Sequence, residues 1–412
     1  MTEIRTIVFL SLAVAAYQLA AGDKNWPPTK VDVDGRKCEV FRHGPQAAWG
    51  YKTYQNDSFV VVHPKAPRTN APLYVVLHSA GHDVWSAVKC TAQFGNHDIY
   101  RAPDDFYALY LDCRANKGDW WWGGRNPKSR ESDAAKGGGA LSPAERRVIG
   151  TVAWVIDTYG IDPNRVYLSG NSMGGSGTLG IGLRHGDLFA AIKANVPAGI
   201  EHVWDRMHLA AATLTAENKI PEPPVVIDYS GVNDHWSIRH EAFAKAMNDR
   251  KYPFYFYWGP FGHANNDQKM MKVNDLIHSF DWLAIRKNAA YAVFTNASCN
   301  DALPTFGNRD SKALGQVNAF FRWTAIADSA AKFEMSLHLI SPKELTTRFT
   351  IPTEATADVS IRRLQEFVIS PGDTLNWRFG PVSGTVTADA SGLLTIPALT
   401  ITATPETLTI WR

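Results

Sequence analysis

Cysteine is scarce. The 412 residues hold four, and Cys38, Cys90, Cys113 and Cys299 stand too far apart to form a C-x-x-C metal pair. An excess of either charge is also missing. Lysine and arginine total 42 against 40 aspartate and glutamate, a formal net charge of +2. That balance lacks the basic surplus of a general nucleic-acid binder. There is no internal repeat, and the 31 glycines and 23 prolines are not periodic, so collagen-like and low-complexity readings fail. Beyond one short run near the amino terminus, no stretch is apolar for the roughly 20 residues that span a bilayer. What remains is 45% hydrophobic and 20% charged, enough to bury a large core and to fill two or three domains of about 100–200 residues.

The amino terminus has a short charged start through Arg5, an apolar run from Thr6 to Ala16, and small residues at Ala20, Ala21 and Gly22. This order is that of a secretory signal peptide. The expected organisation is a signal over 1–21, a catalytic domain over 22–287 and an ancillary domain over 288–412. The mature protein is then secreted or periplasmic, with no membrane partner. An exported chain permits disulfides. Four cysteines allow three pairings and the sequence does not choose, although Cys90 and Cys113 flank the same strand region.

Runs such as Phe59–His63, Leu73–Leu77 and Phe106–Leu111 are β-branched or aromatic and bounded by turn residues, which predicts strands. Pro143–Tyr159 carries apolar residues at helical spacing, with Ser142 as N-cap, Glu145 three residues later and Gly160 as the stop. Strands follow at Arg165–Leu168, Ile192–Val196, Pro224–Tyr229 and Phe254–Trp258. Helices are expected from Gly174, over Glu241–Asn248 and over Gln268–Ile285. This alternation predicts an α/β domain with a mainly parallel sheet. After Lys287 the texture changes to short alternating runs between Pro-Gly, Asp-Ser and Ser-Gly turns, the pattern of an antiparallel β-sandwich.

The chemistry concentrates at Gly170-Asn171-Ser172-Met173-Gly174-Gly175. This G-x-S-x-G lies between a predicted strand and a small-residue helix, the context in which a serine hydroxyl is exposed on a sharp turn. Such a serine needs a base oriented by an acid, in the chain order Ser, Asp or Glu, His. Asp234 follows the strand ending at Tyr229, and His263 follows the strand ending at Trp258, both on loops where such sheets place their sites. Asp228, inside its strand, is the competing acid. His235 and His240 stand too near the acid's loop to be the base, and His278 belongs to the last predicted helix. The oxyanion donors expected are the amides of Met173 and Ala80, with Ser79 next after Ala80. His78 and His82 share a loop rather than a helix face, so His78 reads as a loop-packing residue. Nothing in the sequence implies a metal or an organic cofactor.

The runs RVYLSGNSMGG, DTYGIDPNR and LHSAG resemble those of the exported α/β-hydrolase esterases, a group holding feruloyl and acetylxylan esterases with polyhydroxybutyrate depolymerases. The resemblance covers about Phe59 to Ile285. It implies an α/β-hydrolase fold and a Ser172–His263–Asp234 triad acting on acyl esters, with feruloyl or acetyl esters of plant polysaccharide as the expected substrate. One departure is Ser79, where the group carries glycine. A polyester depolymerase has the same chemistry. A prolyl-oligopeptidase-like peptidase shares the motif, but too little chain precedes the first core strands for its propeller. A carbohydrate-binding protein on a hydrolase scaffold is the non-enzymatic alternative. Trp120, Trp121 and Trp122 sit in a long insertion after Leu111. They either stack on substrate or plug a small core. Trp236, beside the acid, is a further candidate for substrate contact.

Overall fold

The computed structural model describes residues 27–43, 47–49, 57–89, 100–113, 121, 141–207, 222–263, 276–277, 279–341 and 349–412. The expected signal peptide lies outside them, as do Trp120, Trp122, Cys90 and His278. The chain forms two compact units, residues 1–182 with 197–219, and residues 183–196 with 220–412.

The first unit is α/β. Strands β1 (Thr29–Val33) and β2 (Arg36–Arg42) form a hairpin. Its two-residue turn, Asp34-Gly35, has positive φ at both positions (54° and 72°), which Asp-Gly tolerates. The sheet continues with β3 (Ser58–Val62), β4 (Leu73–Leu77), β5 (Tyr107–Leu111) and β6 (Val166–Asn171), in the spatial order β1-β2-β3-β5-β4-β6. β3 runs antiparallel to β2 and β5, whereas β4 is parallel to both β5 and β6. β4 and β6 are buried at every position, so they read as continuous runs rather than alternating ones. The helices are α1 (Val84–Lys89), α2 (Pro143–Tyr159), α3 (Met173–Gly177) and α4 (Glu201–Arg206). α2 keeps its predicted bounds because both ends are chemically fixed. The Glu145 amide donates to Ser142 Oγ (3.1 Å), the Ser142 amide donates to Glu145 Oε2 (3.4 Å), and Gly160 closes the helix at φ 61°.

In the second unit β7 (Ala191–Asn195), β8 (Val225–Gly231) and β9 (Phe254–Gly259) are parallel neighbours, and α5 (His240–Asp249) lies between β8 and β9 in sequence. The region after Lys287 is antiparallel, as its alternation predicts. β10 (Tyr291–Thr295) belongs to a three-stranded sheet with β14 (Glu354–Arg362) and β17 (Thr395–Thr402). β12 (Phe321–Asp328), β13 (Lys332–Leu339), β15 (Thr374–Phe379), β16 (Val382–Thr387) and β18 (Glu406–Trp411) form a five-stranded sheet. Phe294 of the smaller sheet stacks on Phe321 of the larger at 4.4 Å.

These sheets share hydrogen bonds with the parallel strands of the same unit. β11 (Gly315–Val317) pairs antiparallel with β9, Gly315 opposite Trp258 and Val317 opposite Phe256. Asn318 Nδ2 donates to both Phe254 O (3.0 Å) and Phe294 O (2.9 Å). The Tyr291 hydroxyl donates to Pro223 O (2.6 Å). The buried Arg363 guanidinium donates to Gly186 O, Phe189 O and Ala190 O at 3.0–3.1 Å.

The structure departs from expectation at the last predicted helix. Residues 276–277 are helical, but the chain turns by Ser279 and Trp282–Ala284 is a 3-10 turn, so no helix reaches Ile285. Ring packing sets this local geometry: Phe280 stacks on Tyr255 at 4.4 Å and lies 5.5 Å from Trp323.

The bonds across Lys287 predict that a chain ending there does not fold. Truncation exposes the outer edge of β9 and orphans the carbonyls of Pro223, Phe254 and Ala190. The expected outcome is insoluble protein, or a soluble fraction without near-ultraviolet circular dichroism.

Candidate active site

Ser172 sits between β6 and α3 with φ 55° and ψ −114°. A non-glycine residue there stores about 1–3 kcal/mol of strain, which the surrounding structure must hold. Two flanking glycines make the turn possible. A Cβ on Gly174 would lie 1.9 Å from Leu77 O, and one on Gly170 would lie 2.3 Å from Gly174 O. The turn therefore rides directly on the end of β4. Its carbonyl is fixed by the amides of Ser176 (3.0 Å) and Ala198 (2.9 Å). The Ser172 side chain remains half-buried rather than sealed in.

The support behind α3 is buried and polar. Burial, with the nearby Arg206 charge, pushes the His202 imidazole down to about 3, so it is neutral near pH 7. Its Nε2–H donates to Ser176 O (3.1 Å). Arg206 donates to Gly180 O (3.1 Å) and pairs with Glu145, the residue that also caps α2. A Cβ on Gly180 would meet His202 Nε2 at 2.6 Å. The small residues after Ser172 thus admit this network close to the backbone.

The loop after β4 explains the unexpected Ser79. Its amide donates to the Tyr100 hydroxyl (2.8 Å). Its Oγ donates to Asn171 O (3.0 Å) and accepts from Asn171 Nδ2 (2.7 Å). Ser79 thereby ties the loop to the residue preceding Ser172, and its amide is spoken for. Ala80, next along, is exposed, while Met173 is buried at the start of α3. His78 packs beneath the loop, 3.2 Å from Asp112 Oδ1. Trp121 is fully buried, donates from Nε1 to His78 O (3.0 Å), and lies under Gly177. Of the two roles open to it, Trp121 takes the core one and is not a substrate-contacting residue.

In the second unit Asp234 and His263, the acid and base expected from the sequence, are hydrogen-bonded to each other. His263 Nδ1–H donates to Asp234 Oδ2 at 2.6 Å, and Asp234 Oδ1 accepts the Trp236 amide at 2.9 Å. Asp234 is 2% exposed, whereas His263 stays solvent-accessible. The two loops are stitched at the backbone. Val232 N donates to Gly259 O (2.9 Å) and Asn233 N to Phe261 O (3.1 Å). A Cβ on Gly231 would lie 2.2 Å from Phe261 O, so this approach demands glycine. The half-exposed Trp236 ring lies 6.4 Å from the His263 ring.

Asp228, the other candidate acid, has a different partner. Asp228 is fully buried at 3.4 Å from His240 Nε2, and Ser230 Oγ lies 3.2 Å from the same nitrogen. His240 Nδ1–H donates to Ser237 O (2.7 Å), fixing the turn beyond Asp234. Burial alone would lower this imidazole. The hydrogen bond and charge of Asp228 outweigh burial and hold it above its ordinary value. Sequence patterning gave no sign of this pair, since a strand position and a helix start share no motif.

Among the described residues no group of three or more His, Cys, Asp or Glu side chains is arranged to hold a metal ion. No helix among them is long and apolar enough to cross a membrane. Neither a family model nor a curated protein sequence matches the chain. Solved structures do show likeness at low identity. One is the fluorophosphonate-binding serine hydrolase F of Staphylococcus aureus, with 14% identity over 58% of this chain and 92% of that one, at a TM-score of 0.39. Another is an S-formylglutathione hydrolase from Agrobacterium tumefaciens, with 15% identity, coverages of 58% and 93%, and a TM-score of 0.41. A third is an acetyl xylan esterase from Aspergillus awamori, with 14% identity, coverages of 53% and 93%, and a TM-score of 0.36.

Two predictions follow from this geometry. Gly174→Ala drives a methyl into the Leu77 carbonyl, so it should cost at least about 2 kcal/mol in urea unfolding. His240 is raised in the folded state, so its contribution is complete below the ordinary histidine value of about 6.5 and is lost as pH rises through the folded value. The urea midpoint should therefore fall as pH rises from about 6.5 through the folded value, and His240→Gln should flatten that slope.

Proposed function

We propose that the chain is an exported serine carboxylesterase of the α/β-hydrolase fold. The observation that carries this reading is the backbone of Ser172, held at φ 55° on a strand-to-helix turn between close-packed glycines. Strain of this kind serves to present a hydroxyl. The hydrogen-bonded Asp234–His263 pair supports the same reading, because a carboxylate on Nδ1 fixes the tautomer in which Nε2 is the proton-accepting nitrogen.

In the proposed reaction Ser172 Oγ attacks the ester carbonyl carbon while His263 Nε2 takes its proton. Asp234 holds the ring orientation and stabilises the imidazolium. The amides of Met173 and Ala80 receive the oxyanion, Ser79's amide being engaged by Tyr100. Collapse of the tetrahedral species breaks the bond to the alcohol, which leaves with the proton from His263. Water, deprotonated by His263, then attacks the acyl-serine, and the carboxylic acid departs as Ser172 regains its proton. The substrate class proposed is acyl esters of plant polysaccharide, feruloyl or acetyl, with Trp236 contacting the substrate near His263. Export follows from the amino-terminal signal pattern, with the enzyme acting in the periplasm or outside the cell.

The deciding experiment compares wild type with Ser172→Ala on p-nitrophenyl acetate, methyl ferulate, acetylated xylan and a chromogenic dipeptide. The expected result is ester turnover in the wild type that falls by several orders of magnitude in the variant, with phosphonate labelling confined to Ser172. Turnover unaltered in Ser172→Ala would refute the assignment, and cleavage of the dipeptide alone would replace the esterase with a peptidase.

A further inference from the structure

Asn233 immediately precedes the acid. Its Nδ2 lies 2.8 Å from Asn308 O, 3.0 Å from Arg309 O and 2.9 Å from Ser311 O. A primary amide nitrogen has two hydrogens and no acceptor capacity. Three backbone carbonyls from one segment therefore converge on a single donor group. One residue earlier, Gly307 N donates to Val232 O at 2.9 Å. Gly307 has φ 84°, and a Cβ there would come within 2.7 Å of the Ile238 side chain, so the contact is built at backbone range.

The segment that supplies these groups is also closed by hydrogen bonds of its own. Ser311 N donates to Asn308 O (3.2 Å), and Asp310 N donates to Asn308 Oδ1 (3.1 Å). Its base is closed by Asp301 N to Gln316 O (3.0 Å) and by Gln316 N to Asp301 Oδ2 (3.0 Å). From there it joins β11, which is paired with β9, the strand leading to His263. The turn 232–234 is thus held on one side by the base's own loop, through Phe261 O and Gly259 O, and on the other by residues 307–311.

We propose that Asn233 is a positioning residue that aims the Asp234 carboxylate at His263. This deepens the esterase reading and rests on it. Released from its three carbonyls, Asn233 lets the turn rotate, and the 2.6 Å bond from His263 Nδ1 lengthens. The isosteric Asn233→Asp is the severe variant, because a carboxylate replaces two donors with charge facing three carbonyl oxygens. Asn233→Ala removes the donors without that repulsion at a half-buried position, so it serves where the Asp variant does not fold.

The test follows the His263 Nδ1–H proton by NMR in the full-length protein, with ester kinetics in parallel. The expected result is a resonance shifted upfield or broadened in both variants, more in Asn233→Asp. kcat should fall on the order of 100-fold with KM nearly constant, since misplacement of about 1 Å costs that much. A wild-type resonance with kcat within about twofold of wild type in the folded variants would overturn the proposal. Failure of the esterase reading looks different: the wild type then hydrolyses no ester and Ser172 resists phosphonate, while the Nδ1–H resonance still reports whether Asn233 aims Asp234.

Discussion

The contact on which the first unit depends is steric, between the α-carbon of Gly174 and the carbonyl of Leu77. No Cβ fits there, since it would lie 1.9 Å from the oxygen. The absence of that carbon lets the turn carrying Ser172 close onto the end of β4, and the closure stabilises a backbone conformation that a serine would otherwise avoid. The rest of the local architecture keeps the turn down. Ser79 bonds to Asn171 from the β4 side, and Ala198 and Ser176 hold the Ser172 carbonyl. His202, neutral because it is buried, anchors the short helix from behind.

The second unit solves a similar problem with a similar device. Gly231 faces Phe261 O at a distance that excludes any side chain, and backbone amides from the loop of Asp234 reach the carbonyls of the loop of His263. Side chains then refine what the backbone has set. Asp234 uses both carboxylate oxygens, one on Trp236 and one on His263. The buried Asp228–His240 pair steadies the next turn through Ser237. A buried ion pair is weak evidence of net stability, but it is costly to break on one side only, which suits a group whose task is to fix a turn.

Much of this was legible in the residues because local chemistry dictated it. α2 carries its capping box and closing glycine in sequence, and its limits are the predicted ones. G-x-S-x-G announces a strand-turn-helix, and Asp234 and His263 follow on strand-ending loops in the expected chain order, where they are hydrogen-bonded to each other. What sequence could not supply was set by tertiary contact. Trp121 reads equally as a platform or a plug until its burial under Gly177 is known. Asp228 and His240 meet only because β8 and α5 pack together. The apolar residues around Phe280 suggest a helix, yet stacking on Tyr255 determines their backbone. The hairpin of β1 and β2 carries its own local signs, Asp34-Gly35 between runs in which Val31, Val33, Cys38 and Val40 alternate with polar residues.

Asn318 has a consequence for how such a chain can evolve. Its one side chain joins the carbonyl of a parallel strand, at Phe254, to that of an antiparallel one, at Phe294. A module that recombination can shuffle between genes is bounded by a seam crossed by few bonds. Here the seam near Lys287 is crossed by a side-chain clasp, by β11 and by the three carbonyls under Arg363. The carboxy-terminal sheets are therefore structurally coupled to the strands they clasp, and a substitution on either side must be tolerated by both. Swapping this half for that of another protein would sever bonds that run into the core of the parallel strands.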